Sequence, residues 1–389
     1  MESEYIHQLK LNIERMLGRR ILSSSDCRYL FHHITQQLNL TISFNTLRRF
    51  FNLMDTKHAQ SVYTLNILSA YCGFASFDDF VATVKRQPVK TKEQQNADLL
   101  FYVVTLFRDT EVSDEADITF FYFVRHTITF LEFHPGLIDQ FQREIAKTDN
   151  GQRYYFEQFV HIDRLNGYYG DGLRYYLYER KNRESQIFGN HLLCLRYWLT
   201  KDKKNMEAHC QAVVRLDLNK NDAPATAGRY YATQLIQAAA SGTDPEPVLI
   251  MARQFYATVA LALDNYVSVF RLYACVANIL VLTGQYDEAL FYIDEFLKYK
   301  KKYVLPPAQS NLAETMHLFK AIALIRSGEK AVGRECLETL KEGDFSFLSK
   351  QYLTILHLTV KQSLKKSRSE QKQIESLVKG TGFVKLLEL

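Results

Sequence analysis

The side chains with the clearest chemistry lie close together between positions 43 and 49. Arginine forms paired hydrogen bonds with guanine, asparagine does so with adenine, and hydroxyl groups reach phosphates or base edges. This stretch combines all three kinds of side chain, in Ser43, Asn45, Thr46, Arg48 and Arg49. The combination predicts a surface that binds double-stranded DNA.

A short helix must position these residues. Ser43 is a favourable N-cap, because its hydroxyl can accept a hydrogen bond from a free backbone N–H group of the first turn. The spacing predicts a helix that begins at Phe44 and has one apolar side and one polar side. The apolar side consists of Phe44, Leu47, Phe50 and Phe51, and the polar side adds Asn52 to the DNA-binding candidates.

Five short helices are predicted within residues 1–90. Apolar residues recur there at helical spacing, and serine and glycine punctuate the pattern. Polar segments at 39–42 and 55–60 separate the second, third and fourth helices. The residues that begin or end the helices are Gly18, Ser24 or Ser25, Ser43, Ser61, Gly73 and Ser76.

Residues 24–80 resemble the helix-turn-helix domains of the phage-repressor type. Ile42, Leu47 and Phe50 carry the resemblance, since they match the apolar positions that seat a recognition helix. The resemblance implies that the polar face of the third helix lies in the major groove of DNA. Residues 1–90 also hold 11 Lys and Arg against 7 Asp and Glu, which places +4 of the net charge of +5 on this head. A positive head favours attraction to a polyanion.

A second interpretation stays open for the head. Thr41 stands where the turn of such domains usually has glycine, and Gln37 stands where the preceding helix usually has a small residue. Both fit a small helical bundle that docks another protein or covers the apolar end of a helical array. Arg48 and Arg49 favour DNA binding, whereas Thr41 and Gln37 favour a scaffold.

The sequence contains little that could carry out catalysis. It has no glycine-rich phosphate loop, no GxGxxG dinucleotide motif, no HExxH zinc motif and no GxSxG nucleophile motif. His32 and His33 are adjacent, so on a helix they point about 100° apart and cannot share a metal ion. The six cysteines are scattered without a CxxC pair, which argues against a zinc site and a disulfide framework. We therefore predict no enzymatic activity, no cofactor and no metal.

The whole chain is predicted to be α-helical. Its 389 residues include only 16 glycines and 7 prolines, whereas all-β proteins need frequent turn residues. The predicted organisation is the helix-turn-helix-like domain at 1–90, an aromatic-rich helical region at 91–184 and an array of antiparallel helix pairs at 185–389. The polar segment at 90–96, which follows Pro88, is interpreted as a linker.

Aromatic residues cluster between positions 154 and 178, around a predicted glycine-rich loop at 166–172. These residues would either form the wall of a ligand pocket or fill the space between packed helices with their hydroxyl groups at the rim. Glu157, Asp163 and Asp171 lie nearby but complete no recognisable catalytic set. The cluster comprises Tyr154, Tyr155, Phe156, Phe159, Tyr168, Tyr169, Tyr175, Tyr176 and Tyr178.

A helical repeat is most evident between positions 273 and 293. Eight residues there have the spacing of a tetratricopeptide unit, which this segment resembles: Tyr273, Val276, Ala277, Leu280, Gly284, Tyr286, Ala289 and Ile293. The resemblance implies that Ala277 and Ala289 let two antiparallel helices touch, that Gly284 turns the corner, and that Tyr273 and Tyr286 help to fill the groove. A weaker echo follows at Ala321, Leu324, Gly328 and Leu337, after a longer connection at 298–307.

The predicted function combines the two modules in a cytoplasmic regulator. No apolar run follows Met1, and the most apolar stretch, at 118–133, is too short to span a bilayer. We expect the head to bind double-stranded DNA and the repeat groove to bind a peptide, a protein or a second copy of the chain in a homodimer, with no membrane partner. The arrangement is similar to that of peptide-sensing transcription regulators. The alternative is a helical-repeat scaffold for protein–protein interaction that does not bind DNA.

Overall fold

The computed structural model describes residues 2–54, 60–86, 91–112, 117–219, 221–259 and 266–389. These residues form helices joined by turns and loops, and they include no β-strand. The chain divides into two compact units, unit 1 at 1–95 and unit 2 at 96–389. Each unit has a hydrophobic core of its own. The prediction of an all-α protein is confirmed.

The described residues of unit 1 form a bundle of five helices, the number that the sequence predicts. They are α1 (Glu2–Leu17), α2 (Ser24–Leu38), α3 (Phe44–Phe50), α4 (Val62–Tyr71) and α5 (Phe77–Arg86). All five contribute to the core, which includes Leu9, Leu30, Leu47, Leu68 and Phe80. Most of the polar loop predicted at 55–60 lies outside the described residues.

Serine side chains begin α2, α3, α4 and α5, although not always the predicted serine. Ser43 caps α3 as predicted. The cap of α2 is Ser23, so the prediction of Ser24 or Ser25 is wrong. Asp26 decides the position, because its carboxylate accepts the backbone N–H of Ser23 at 2.9 Å while Ser23 Oγ accepts the N–H of Asp26. This reciprocal cap requires the serine to stand three residues before the acid.

Unit 2 contains the remaining helices, α6 to α19, except that the first four residues of α6 (92–95) belong to unit 1. Its first part consists of α6 (Lys92–Asp109), α7 (Ile118–Phe133), α8 (Ile138–Ile145), a π-helix (Gly151–Gln158) and α9 (Tyr168–Glu179). Its second part consists of α10 (Arg183–Leu199), α11 (Lys203–Val214), α12 (Pro224–Ser241), α13 (Glu246–Val259), α14 (Tyr266–Leu282), α15 (Tyr286–Lys300), α16 (Leu312–Ser327), α17 (Lys330–Glu338), α18 (Lys350–Leu364) and α19 (Arg368–Thr381). None of the helices in the described part of the chain combines the length and the apolar character that a bilayer crossing requires.

The helices from α10 to α19 pack as five successive pairs. Each helix packs against its partner, and the first helix of each pair also packs against the first helix of the next, from α10 through α12, α14 and α16 to α18. The C-terminal turn Val384–Glu388 contacts α10, so the end of the array returns to its beginning. Stacking of neighbour upon neighbour is the arrangement expected of a helical-repeat protein.

Two segments differ from the prediction. α6 begins at Lys92, so most of the linker predicted at 90–96 is helical; Thr91 and Gln94 cap its first turn reciprocally. The glycine-rich loop predicted at 166–172 is also largely helical, because α9 begins at Tyr168. Gly170 serves close packing rather than a turn, since a Cβ atom there would lie 2.0 Å from the carbonyl oxygen of Leu165.

Candidate functional site

The predicted DNA-binding residues share the solvent side of α3. Ser43, Asn45 and Arg49 are exposed, and Thr46 is half-buried. The backbone N–H of Thr46 donates to Ser43 Oγ at 3.2 Å, so the Ser43 hydroxyl fixes the beginning of the helix. Leu47 on the opposite side is completely buried. The apolar side thus anchors α3, and the polar side remains available for contact.

Arg48 differs from Arg49 because it also packs against an aromatic ring. Its guanidinium carbon lies 5.7 Å from the centre of the Phe44 ring, and the guanidinium carbon of Arg28 from α2 lies 5.5 Å from the same centre. Arg48 is half-buried, and its Nε has no hydrogen-bond partner. We call Arg28, Phe44, Arg48 and Arg49 the head arginine cluster. Sequence spacing could not reveal the part of Arg28, since the contact joins two helices.

The turn before α3 tolerates both departures from the helix-turn-helix pattern. The left-handed residue of this turn is Asn39, with φ +53°, and its N–H donates to the carbonyl of Thr35 at 3.1 Å. Asparagine adopts this conformation more readily than most residues, so Thr41 does not need to be glycine. Gln37 is exposed, so its length does not interfere with packing.

The tyrosine-rich region is mainly core. Tyr155, Tyr169 and Tyr176 are each at most 2% exposed. Burial raises the pKa of all three phenols, which therefore stay protonated near neutral pH. Their hydroxyl groups bond to Gln142, to the carbonyl of Phe156 and to Glu157, respectively. The packing interpretation holds for these residues, whereas Tyr178 is exposed.

The predicted repeat residues lie between α14 and α15. Ala277 and Ala289 have no exposed surface, Tyr273 is 3% exposed, and Tyr286 is half-buried. Gly284 joins the two helices with φ +79°, in the left-handed region that favours glycine. These residues therefore lie in the contact and the turn of one helix pair.

A cavity that the sequence pattern does not predict lies among the first helices of the successive pairs. Its volume is about 250 Å³, close to the lower end of the usual range for small-molecule sites. α10, α12, α14, α16 and α18 all contribute to its wall, together with residues 157–162. The apolar part of the wall includes Leu192, Leu195, Phe319 and Leu353, and the polar part includes Gln158, His191, Arg229, Arg271 and Asn278.

A chain of hydrogen bonds fixes His191 in this wall. Thr233 Oγ1 donates to the carbonyl of Arg229 at 2.7 Å, so its oxygen is left to accept from His191 Nδ1 at 3.0 Å. His191 Nε2 then accepts from the Cys275 thiol, 3.4 Å away. Burial lowers the pKa of His191 to about 3, with Arg229 adding to the effect, and burial raises the pKa of the Cys275 thiol to about 12. Both side chains are therefore neutral near pH 7.

Two arginines from neighbouring pairs converge on the same cavity. Arg229 of α12 and Arg271 of α14 are each the sixth residue of their helix. The guanidinium carbon of Arg229 lies 4.7 Å from the centre of the Phe188 ring. Arg271 Nε and Nη2 donate to the side-chain oxygen of Gln309 at 2.7 and 3.0 Å when that amide is turned to accept. Both arginines also border a second, more polar cavity of about 270 Å³.

Asp163 caps the first turn of α18, which contributes to the wall. Its two carboxylate oxygens accept the backbone N–H groups of Gln351 and Tyr352 at 2.8 and 2.9 Å. The Tyr352 hydroxyl donates to Asn278 Oδ1 at 2.6 Å. Desolvation raises the pKa of Asp163 although these backbone hydrogen bonds oppose the shift. The residues before α9 are thereby tied to the last pair of the array.

The carboxylates near the tyrosine cluster are likewise engaged in structural contacts. Glu157 accepts from the Tyr176 hydroxyl at 2.6 Å, and Asp171 pairs with Arg196 at 2.8 Å. Across the described ranges, no group of three or more His, Cys, Asp or Glu side chains is arranged to hold a metal ion. The chemistry that this arrangement offers is the binding of a partner through hydrogen bonds, cations and apolar surface.

Comparison with known proteins does not identify a partner for this arrangement. The chain matches no protein-family model, no curated protein and no solved structure.

Proposed function

We propose that the protein is a cytoplasmic regulator with two binding modules. Unit 1 acts as a helix-turn-helix domain that binds double-stranded DNA through α3. The pairs from α10 to α19 act as a tetratricopeptide-like array that binds a peptide or a protein. No catalytic step belongs to this proposal.

The observation that carries the proposal is the polar face of α3. Asn45 and Arg49 are exposed beside the half-buried Arg48, and Arg28 from α2 adds a further cation to the head arginine cluster. Cations that contact phosphates supply most of the affinity for DNA, and side chains that reach base edges supply the specificity. The polar face of α3 carries both kinds of side chain, so this one helix can supply both the affinity for DNA and the sequence specificity.

Duplex DNA binding at low salt tests the first module. We expect the full chain to retard mixed genomic fragments at low ionic strength, and the affinity to fall steeply with salt, because each neutralised phosphate releases counterions. Replacing Arg48 and Arg49 together by Ala should weaken binding to all sequences and reduce the dependence on salt. Arg15→Ala, which removes an exposed cation from α1, is the matched control and should bind almost as the wild type does.

The alternative is a helical-repeat scaffold whose head docks another protein. Exposed apolar side chains in unit 1 favour it: Leu22, Val62 and Tyr63 are 74%, 71% and 64% exposed, and exposed apolar groups often mark protein contacts. Absence of any DNA shift by the wild type at low salt would leave this alternative. A homodimer would then appear as a doubled mass in light scattering, and Tyr63→Ser should reduce it.

A further inference from the structure

The cavity in unit 2 contains a cation without an anionic partner. Among the described residues, no carboxylate lies within ion-pair distance of Arg229, whose guanidinium group rests on the ring of Phe188. A charge removed from water is costly unless an opposite charge or good hydrogen bonds compensate it. Arg229 is half-buried, so an anion in the cavity would stabilise it.

The rest of the polar wall also favours an anion. Gln158 lines the cavity, and its Nε2 is buried with no hydrogen-bond partner. Glu157 is the one carboxylate among the lining residues. It accepts a hydrogen bond from the Tyr176 hydroxyl and pairs with Arg180, 3.8 Å away. His191 is neutral because burial lowers its pKa. The local balance is therefore positive and rich in donors.

The remainder of the wall is apolar. Leu192 and Leu195 of α10, Phe319 of α16 and Leu353 of α18 line it. An aliphatic group that enters the cavity would therefore leave water for hydrocarbon surface, which is favourable in proportion to the area buried. A small inorganic anion would leave this part of the cavity unused.

We propose that this cavity binds a carboxylate that ends a short apolar segment, with the carboxylate on Arg229 and the apolar part against Leu192, Leu195 and Phe319. Guanidinium and carboxylate groups match each other in paired hydrogen bonds. Arg271, held by Gln309, stands beside Arg229 as a second cation. Two kinds of molecule carry such a carboxylate: a short apolar peptide, at its C-terminus, and a small aliphatic acid.

Two forms of the proposal follow: in the peptide form the ligand is a short peptide, and in the small-acid form it is a small aliphatic acid. The peptide form rests on the proposed function of unit 2, whereas the small-acid form does not. Four probes distinguish them: trileucine, its C-terminal amide, hexanoate and hexanamide. Each acid differs from its amide in the charge at one end and retains nearly the same shape. Calorimetric titration of the full chain with these probes measures the preference for the acid directly, before any variant is made.

We expect the wild type to bind at least one acid ten times more tightly than its amide. Arg229→Gln should abolish this preference while leaving the affinity for the amide nearly unchanged, which a collapsed cavity would not do. Arg229→Lys, which keeps the charge without the paired hydrogen bonds, should retain part of the preference. The control Arg215→Gln removes an exposed arginine outside the cavity and should change nothing.

The outcomes separate the inference from the proposed function. Preference for trileucine over its amide supports the peptide form, and preference for hexanoate over hexanamide supports the small-acid form. Equal binding of acid and amide, or no binding of any of the four probes, overturns the carboxylate assignment. Equal binding of trileucine and its amide would still leave peptide binding by unit 2 in place, and DNA binding by unit 1 is measured independently.

Discussion

α3 of unit 1 presents a polar face that includes the exposed Asn45 and Arg49, whereas the α14–α15 pair of unit 2 buries the residues at which its helices meet. α3 has seven residues, of which Leu47 and Phe50 are buried. In the pair, Ala277 and Ala289 have no exposed surface at all. A residue in the pair is therefore constrained by the shape of its neighbours, while a residue on the polar face of α3 is constrained by what it binds. Substitutions of similar size should affect stability in the pair and binding in α3.

The largest effect is expected from Ala289→Leu. The extra carbon atoms would enter a position with no exposed surface, and overpacking of this kind typically costs about 1–3 kcal/mol. Trp198 is the one tryptophan of the chain and lies buried in α10 of unit 2, so its fluorescence in urea reports the unfolding of this unit. We expect the transition midpoint to fall clearly.

Lys301→Ala is the control for this substitution. Lys301 follows α15 and is exposed, so its loss should change the free energy of unfolding by less than about 0.5 kcal/mol. A wild-type-like transition of Ala289→Leu together with a strongly destabilised Lys301→Ala would show that the repeat alignment is wrong.

Gly284→Val should have the next largest effect. Gly284 has φ +79°, a conformation that a β-branched residue adopts only with strain, at a cost of about 1–3 kcal/mol. Space is not the limit, since the nearest atom to a Cβ at this position is 4.0 Å away. Gly343→Val is the matched control, because Gly343 has neither a positive φ nor a neighbour within 4 Å. Equal transitions for the two variants in Trp198 fluorescence would contradict the backbone argument.

These contrasts show which parts of the molecule the sequence could predict. Ala277, Gly284 and Ala289 are recognisable because contacts within one helix pair are local and leave a fixed spacing in the sequence. The convergence of Arg229 and Arg271 is not recognisable within a single pair, since their positions in space depend on the stacking of one pair on the next. Their shared place as sixth residue of α12 and α14 is a signal that an alignment of pairs would have revealed.

Local composition was also misleading where packing overrides it. The glycines at 166–172 predict a loop, yet Gly170 lies within α9. Its position needs glycine because its backbone approaches Leu165 closely. The serine cap of α2 was predicted one or two residues too late, since the position depends on Asp26. In both cases the residue type indicated a special backbone position, and a contact with another residue, Leu165 or Asp26, decided what that position was.

Acid pH should weaken unit 2 through its buried histidines. Burial lowers the pKa of His161 and of His191 to about 3, with Arg164 and Arg229 as the cations that add to the effect. Above the unfolded-state pKa of about 6.5, neither state binds the proton. Between this value and 3, only the unfolded chain binds it, so stability falls with decreasing pH, by roughly 1 kcal/mol per pH unit for each histidine.

Urea unfolding followed by Trp198 fluorescence at pH 7, 6 and 5 measures this dependence. His161→Gln can keep a hydrogen bond to Tyr168, which His161 Nδ1 contacts at 2.8 Å. It should reduce the change in the free energy of unfolding with pH by roughly 1 kcal/mol per pH unit, the contribution of one histidine. His7→Gln removes an exposed histidine of unit 1 and should leave the dependence unchanged. An unaltered pH dependence in His161→Gln would show that this ring is not excluded from protonation in the folded state.

The smallest effects are expected on α3, where two adjacent arginines should differ. Arg48→Ala loses the contact with Phe44, worth about 0.5–1 kcal/mol at an accessible site. The unpartnered Nε of Arg48 reduces the net loss, because removing a buried donor without a partner is favourable. Arg49 is exposed, so Arg49→Ala should stay within about 0.5 kcal/mol of the wild type.

Hydrogen exchange of peptides from α2 and α3 measures the difference in stability between the two variants within unit 1, which has no tryptophan. A faster exchange in Arg49→Ala than in Arg48→Ala would reverse the assignment: Arg49 would then support the helix, and Arg48 would be the arginine left for a partner.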